Sequence, residues 1–493
     1  MPGATPLARG LEPLYTASEM RAAEERYPGY PASIPELMER AGAAVAREAR
    51  LVFPEARRFA CVCGGGSNGG DGRVAARILR EAGHQADELD ASEAASVEAD
   101  LSGYDVVVDA LFGTGFHGEP RPKAAELIER MNAAPAPVVS VDLPSGVDAS
   151  TGEIAGAAVT ADLTVTFHAP KVGLAVAPGR FHAGRVVVAD IGLEHVPTAH
   201  VRATPALLAE VPRRSARDTK YTAGSVLVVG GSPGMTGAAA LTALAALRAD
   251  AGYVTLAVPE ESLRVIEALA LEPVKIGWSE ADALETIANA AERASALALG
   301  PGLGRSDQRR ALVRDLLTRL DLPAVVDADA LFGLELVERD AATVLTPHAG
   351  ELARLLDTDS AWVNAHRLEA ARAAAERFGA TVLLKGADTI VISSEGLRLQ
   401  PEPRLSPEAE QAGARLKPGT TVVCDLGPPA LATAGTGDVL TGIVAAFLAK
   451  GLEPQLAAAA AAVAHAQAAL AVPHRTGLVA SDLVAALPAA FED

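Results

Sequence analysis

The chain has 493 residues, a formal charge of −19, and a composition that is 49% hydrophobic but only 4% aromatic. That length exceeds one compact core and implies two large domains or three small ones, built mainly from Ala, Val and Leu. The acidic balance excludes nucleic acid or an anionic membrane as an expected partner, because either needs a basic face, so any phosphate must be held locally by backbone amides, helix N-termini or a few chosen cations.

Three cysteines, Cys61, Cys63 and Cys424, cannot form a disulfide framework. Cys61 and Cys63 lie in an apolar run and read as buried thiols, which suits a reducing cytoplasm. The first twenty residues lack the basic-then-apolar order of a secretion signal. A cytoplasmic, membrane-free protein is the expectation.

In chain order, the apolar runs Phe59–Cys63, Asp105–Asp109, Val138–Asp142, Leu163–Phe167 and Arg185–Ala189 predict strands. Helices are predicted over Arg73–Ala82 and Lys123–Met131. Short, nearly all-apolar strands alternating with helices point to an α/β fold with a mostly parallel sheet covered on both faces. Residues 194–217 carry three prolines and the cluster Arg213, Arg214 and Arg217, and read as a linker without a sheet strand. The domains are therefore placed at 1–211 and 212–493. A second alternation runs through Ser225–Val229, a helix over Thr236–Asp250, then Tyr253–Val258, Ala296–Leu299, Ala324–Asp327, Val344–Thr346, Val382–Leu384 and Thr421–Cys424. Residues 398–419 predict an exposed loop. The run Leu456–Val472 is mostly alanine and holds His465 and Gln467, so it reads as a buried helix rather than a membrane span.

Between the first strand and its helix stands Cys63-Gly64-Gly65-Gly66-Ser67-Asn68-Gly69-Gly70-Asp71-Gly72. Glycines there let the backbone approach a ligand, and the helix start offers free amides for phosphate. The spacing is not the GxGxxG dinucleotide fingerprint. Asp109 runs into Ala110-Leu111-Phe112-Gly113-Thr114-Gly115, and Asp142 into Leu143-Pro144-Ser145-Gly146. An Asp closing a strand can be a simple turn cap, but three polar strand ends on one sheet edge favour a site. Their hard oxygens suit an alkali or alkaline-earth cation rather than zinc.

These residues resemble the YjeF N-terminal family, the NAD(P)H-hydrate epimerases, over roughly residues 14–195. The markers are SNGGDG, DALFGTG, DLPSGVD and FHAPKVG. The resemblance implies a Rossmann-like three-layer sandwich in which Ser67, Asn68, Gly69, Gly70 and Asp71, with Gly113, Thr114, Gly115, Phe116, His117, Gly118 and Glu119, contact the hydrated cofactor. It also implies a potassium ion on Asn68, Asp109 and Ser145, with Asp142 facing the substrate. Family loops usually read NNGGDG, and Ser67 departs from that. Asp142 is assigned the proton transfer that epimerisation requires. Lys171 is singled out because the chain holds seven Lys against thirty-six Arg, so arginine is its default cation.

The second half carries Ala434-Gly435-Thr436-Gly437-Asp438-Val439-Leu440-Thr441-Gly442 at the head of an apolar helix. Amides near Gly435–Gly437 can stabilise charge on a transferred phosphoryl group, and Asp438 can take a proton from an attacking hydroxyl or simply start the helix. Gly230–Ala238, Gly300–Gly304, Thr346–Glu351 and Lys385–Thr389 add further strand-end loops. No GxxxxGK(S/T) phosphate loop is present, which excludes a Walker-type NTPase.

This set resembles the ribokinase-like superfamily, and within it the ADP- or ATP-dependent NAD(P)H-hydrate dehydratases, over about residues 213–490. GPGLG, TPHAGE and AGTGDVLTG carry the likeness. It implies a ribokinase-like three-layer sandwich in which Ala238, Gly302, His348 and Asp438 touch the hydrated cofactor, with Asp438 catalytic. Lys385, Gly386, Ala387, Asp388, Thr389 and Gly437 would hold the adenine nucleotide with its Mg2+. Leu426-Gly427-Pro428-Pro429 departs from the family, which shows an Asn before the second proline. The expected activity is epimerisation of (6R)- to (6S)-NAD(P)HX followed by nucleotide-driven dehydration, in a homo-oligomer. The alternatives are a small-molecule kinase with an accessory domain, which would leave a stable phosphate ester, and a binding protein indifferent to Asp438→Asn.

Overall fold

Side chains along a strand point alternately to its two faces, so burial on both faces dictates layers. In the strand Arg58–Cys63, Phe59, Cys61 and Cys63 enter one apolar cluster while Ala60 and Val62 enter another. Helices Ala17–Glu25, Ile34–Val52 and Ser67–Glu81 contribute to the first cluster, and Pro122–Ala133 to the second. A computed structural model describes residues 9–92, 100–395, 416–474 and 476–492. It divides the chain into two compact units, Pro13–His200 and Met1–Glu12 with Val201–Asp493.

The strands in chain order are β1 (Leu11–Leu14), β2 (Arg58–Cys63), β3 (Gln85–Asp90), β4 (Val106–Ala110), β5 (Val138–Val141), β6 (Leu163–Phe167), β7 (Arg185–Ala189) and β8 (His200–Ala203). They continue as β9 (Ser225–Val229), β10 (Tyr253–Pro259), β11 (Val274–Trp278), β12 (Ala296–Leu299), β13 (Ala324–Val326), β14 (Thr343–Leu345), β15 (Thr381–Leu384), β16 (Thr389–Ile392) and β17 (Thr421–Cys424).

The first sheet has the order β3-β2-β4-β5-β6-β7, with every neighbouring pair parallel. The chain steps from β2 to β3 on one side and then crosses to β4 on the other, so the order reverses between β2 and β4. Such a reversal opens a crevice at the carboxyl ends of the two strands, where ligands bind in open α/β sheets.

The second sheet has eleven strands, β1-β8-β17-β16-β15-β14-β13-β12-β9-β10-β11. From β14 to β11 it is parallel, and β15-β16-β17 form antiparallel pairs. Its reversal lies between β9 and β12. Both sheets are therefore doubly wound α/β, as expected.

The segment expected to be a strand-free linker contains β8. Val201, Ala203, Leu207, Leu208 and Val211 are buried in the second unit's core, so the break falls at 200/201 rather than 211/212. Proline count and the arginine cluster obscured a short alternating strand. The helix Pro454–Ala471 is buried along nearly its whole length, His465 included, in the same core. Among the described residues no helix is long and apolar enough to cross a membrane. The loop expected over 398–419 lies, through residue 415, outside the described residues.

Candidate active sites

At the first crevice the backbones come closer than any side chain permits. A Cβ on Gly64 would sit 2.1 Å from the Leu111 carbonyl oxygen, and one on Gly69 would sit 1.9 Å from that of Gly64. Glycine here is a packing requirement that seats the β2 turn against the β4 turn. The expected loop residues Ser67–Asp71 already belong to the helix Ser67–Glu81, which has Gly66 as its N-cap and no side-chain cap. Its first amides are free for an anion. Asp71, half-buried in the second turn, is not a cap.

The three residues expected around a cation are brought together. Asn68 Nδ2 donates to the Phe112 carbonyl at 2.8 Å, and the Phe112 amide donates to Ser145 Oγ at 2.8 Å. Ser145 Oγ donates to Asp109 Oδ1 at 2.6 Å, while Ser140 Oγ and the Ser145 amide donate to Oδ2 at 2.8 and 2.9 Å. Asp109 is fully buried, and burial raises its pKa despite these four donors, the Leu111 amide being the fourth. A buried carboxylate with no basic side chain bonded to it, amid amide, hydroxyl and carbonyl oxygens, fits a large monovalent cation.

Asp142 sits just beyond β5 in the left-handed region, φ 67°, which costs a non-glycine residue energy and turns its carboxylate off the strand. Lys171, wholly buried, donates to Asp142 Oδ1, and also to Thr166 Oγ1 and the Phe167 carbonyl, each at 2.9 Å. Thr166 Oγ1 adds a bond to Asp142 Oδ1 at 3.0 Å. Burial, then the charges of Asp142 and Glu24, hold the Asp71 carboxyl well above its usual range. Burial and Asp142 raise Glu24 likewise. Sequence reasoning missed Glu24 and Thr166; helix position alone does not separate Glu24 from its acidic neighbours.

The remaining expected residues line the Gly113–Glu119 turn. Phe112 and Phe116 stack at 4.6 Å between centroids. His117 is exposed, and its Nδ1 lies 2.8 Å from Asp148 Oδ2.

At the second crevice the β9 and β12 turns interlock. The Gly231 amide donates to Pro301 O at 3.0 Å, the Ser232 amide to Gly302 O at 2.7 Å, and Ser232 Oγ to Leu303 O at 2.7 Å. Gly302 (φ 63°) has no room for a Cβ, which would meet Met235 O at 2.4 Å. Two helices begin here without side-chain caps, Thr236–Arg248 and Thr436–Ala449, the latter from Gly435 at φ 88°. Thr242 Oγ1 donates to the carbonyls of Ala238 and Asp438, both at 3.0 Å, and so joins the two helix heads.

Lys385 Nζ lies 2.8 Å from Asp327 Oδ1 and 4.0 Å from Glu351, and a Cβ on Gly437 would stand 3.3 Å from it. Burial opposes the Lys385 charge, yet Asp327, Glu351 and Asp438 hold its pKa above the ordinary value. Burial, then the charge of Asp327, pushes Asp438 up to about 7. Thus Ala238, Gly302, Lys385, Gly437 and Asp438 lie around one crevice.

Others do not present a free group. Asp388 is 1% exposed and locked to Arg367, whose Nε stands 2.9 Å away, so its carboxylate is not open to a nucleotide. His348 is the N-cap of the helix Ala349–Leu355; its Nδ1 accepts the Gly350 and Glu351 amides at 3.0 and 3.3 Å. Its Nε2 lies 3.5 Å from the Glu351 carboxylate. Gly386 and Ala387 are exposed, and Thr389 Oγ1 donates to Gly386 O at 3.2 Å. Asp327 was missed, although it closes β13 just as Asp142 closes β5.

Two family models match the chain. One, described as NAD(P)H-hydrate dehydratase, covers residues 226–402 and 411–488; the other, YjeF-related protein N-terminus, covers 35–91 and 85–173. The bifunctional NAD(P)H-hydrate repair enzyme of Moorella thermoacetica is 37% identical across 96% of this chain and 96% of its own. The enzyme of that name from Escherichia coli K12 is 33% identical across 92% and 88%. A crystal structure of the ADP/ATP-dependent NAD(P)H-hydrate dehydratase from Bacillus subtilis, with ATP/Mg2+, is 27% identical over 58% of this chain and 95% of that one, with a TM-score of 0.49.

Proposed function

This chain belongs to the bifunctional NAD(P)H-hydrate repair enzyme family, and from that premise we propose how its two crevices divide the work. The first epimerises (6R)- to (6S)-NAD(P)HX. The second dehydrates the (6S) form to NAD(P)H at the expense of ADP or ATP, releasing phosphate. The observation that supports the reading is the pair of carboxylates, Asp142 just beyond β5 with Asp71 of the helix Ser67–Glu81 facing it, and Asp438 at the head of Thr436–Ala449 with Lys385 and Asp327 facing it.

At C6 of the hydrate one carbon bears both the hydroxyl and the ring nitrogen, so inversion needs a proton moved at that oxygen. In this reading Asp142 moves it, and the bonds from Lys171 and Thr166 that fix the carboxylate's direction support that role. Phosphates of the cofactor have the uncapped head of Ser67–Glu81 to bind. Asn68, Asp109 and Ser145 would hold potassium, which supplies a counter-charge for the buried Asp109.

In the second crevice Asp438 takes the proton of the C6 hydroxyl as that oxygen attacks the terminal phosphoryl group. A pKa near 7 suits a base at neutral pH. Amides at Gly435–Gly437 and the Lys385 ammonium beside them would stabilise charge developing on the phosphoryl oxygens. Loss of phosphate from C6 and of a proton from C5 then restores the ring double bond; ADP leaves as AMP. Among the described residues no cluster of three ligating side chains stands at this crevice, which suits Mg2+ carried in on the nucleotide's own phosphates.

The test is direct. An NADHX mixture incubated with ADP and Mg2+ should yield NADH absorbance and phosphate in equal amounts. A stable phosphate ester without NADH would instead support the small-molecule kinase.

A further inference from the structure

Asp327 is 1% exposed and both of its carboxylate oxygens are engaged. Oδ1 accepts Lys385 Nζ at 2.8 Å, and Oδ2 accepts Thr441 Oγ1 at 2.6 Å. Thr441 lies one turn beyond Asp438 on the same helix, and its hydroxyl also reaches back to the Gly437 carbonyl at 3.1 Å. The Asp327 backbone is pinned as well: its amide donates to Leu299 O at 3.0 Å, and its carbonyl fills the space a Cβ on Gly300 would need, 2.0 Å away. One side chain thus ties a strand end, a cation from a separate loop, and the helix that carries the base.

We propose that Asp327 is a positioning residue of the dehydratase, clamping the Lys385 ammonium to Thr441 so that cation and base keep a fixed separation across the Gly437 turn. This rests on the dehydratase reading above. A lone lysine on the 385–389 loop would have four rotatable bonds between its charge and the backbone that carries it. Bonded to Asp327, it is held above the helix head before substrate arrives, and preorganised charge is what stabilises a phosphoryl transition state.

Asp438 is faced by Asp327 and Asp329 from the β13 turn, by Glu351 from the helix Ala349–Leu355, and by Lys385 from its loop. Arg305 already pairs with Asp329 at 2.7 Å, and the His348 ring lies 3.5 Å from Glu351. Removing the Asp327 charge therefore lowers the Asp438 pKa, and the limb of the rate profile that rises with pH moves to lower pH.

The experiment uses the full chain with NADHX, ADP and Mg2+, following NADH and phosphate across pH 5.5 to 9. Thr441→Val, which keeps every charge, should lower kcat about 10-fold with KM for ADP and NADHX held within about twofold, and Thr441→Ser should recover most of the rate. Asp327→Asn should lower kcat about 100-fold and shift the acid limb downward. Normal kcat in Thr441→Val, or a loss carried by KM alone with an unmoved limb in Asp327→Asn, overturns the clamp. If Asp327→Asn does not fold, the Thr441 pair decides by the same kcat criterion. A wild-type chain that forms no NADH sinks the dehydratase reading itself, whereas an active wild type with unaffected variants sinks only this proposal.

Discussion

Beyond β5, the Asp142 carboxylate is bonded to a lysine that has no exposure at all. At the head of Thr436–Ala449, Asp438 has no such partner among the described residues: the nearby lysine gives its hydrogen bond to Asp327, and most of the charges facing Asp438 are like its own. The same residue type, at the same kind of crevice, is in one unit bound to a cation and in the other poised near neutrality. Pairing fixes direction; isolation near other carboxylates tunes the proton. The two units differ less in fold than in what their lysines hold: Lys171 bonds Asp142 itself, whereas Lys385 bonds Asp327.

Breaking the second site should have the largest effect. Asp438→Asn removes the base and is expected to slow dehydration about 1,000-fold while epimerisation, assayed separately on the same preparation, is unchanged. Equal loss of both activities in folded protein would mean the sites are not separate. The first site breaks differently. Lys171→Met leaves Asp142 buried without its cation, which should cost about 3–5 kcal/mol of that unit's stability in a denaturant titration, along with epimerisation. A melt indistinguishable from wild type would show that the pair holds nothing in place.

Acidity sharpens the contrast. As the proposed base, Asp438 would act unprotonated, and burial pushes its pKa up to about 7, so dehydration should rise with pH and at pH 6 run about tenfold below its plateau. A flat dehydration profile from pH 6 to 8 would remove Asp438 as the base. Potassium should matter only to the first site: replacing it by sodium should slow epimerisation several-fold and leave phosphate release alone, and equal epimerisation in both salts would count against the ion. The smallest effect expected is from His348→Ala, about 1 kcal/mol of stability for the lost helix cap, read as a lower melting temperature.

Much of this was legible before any coordinates. β9, β12 and β17 fall where their apolar runs predicted, because strands buried on both faces announce themselves without alternation. The glycine turns were legible too, since few other needs put so many glycines between strand and helix. Two strands rich in polar residues were not. β3, at a sheet edge, reads QADELD and β8, between β1 and β17, reads HVRA, and a partly solvated strand mixes its polarity in ways that short runs hide. Nor was the environment of a motif residue legible. Asp388 looks available in its glycine-containing loop, but the partner that consumes it, Arg367, sits 21 residues earlier at the start of the helix Arg367–Phe378. The clamp at Asp327 joins residues 58 and 114 positions apart, a distance no periodicity spans.

The strands β1 and β8 are neighbours in the eleven-stranded sheet, and residues 15–199, nearly all of the first unit, are spliced into the chain between them. Anyone wishing to express the dehydratase alone should therefore excise that stretch and rejoin the flanks with a short tether, rather than start the gene at residue 212. The latter cut discards two strands and lays bare the rim of β17, with the hydrophobic seats of Val201 and Leu207 left empty, an invitation to aggregate.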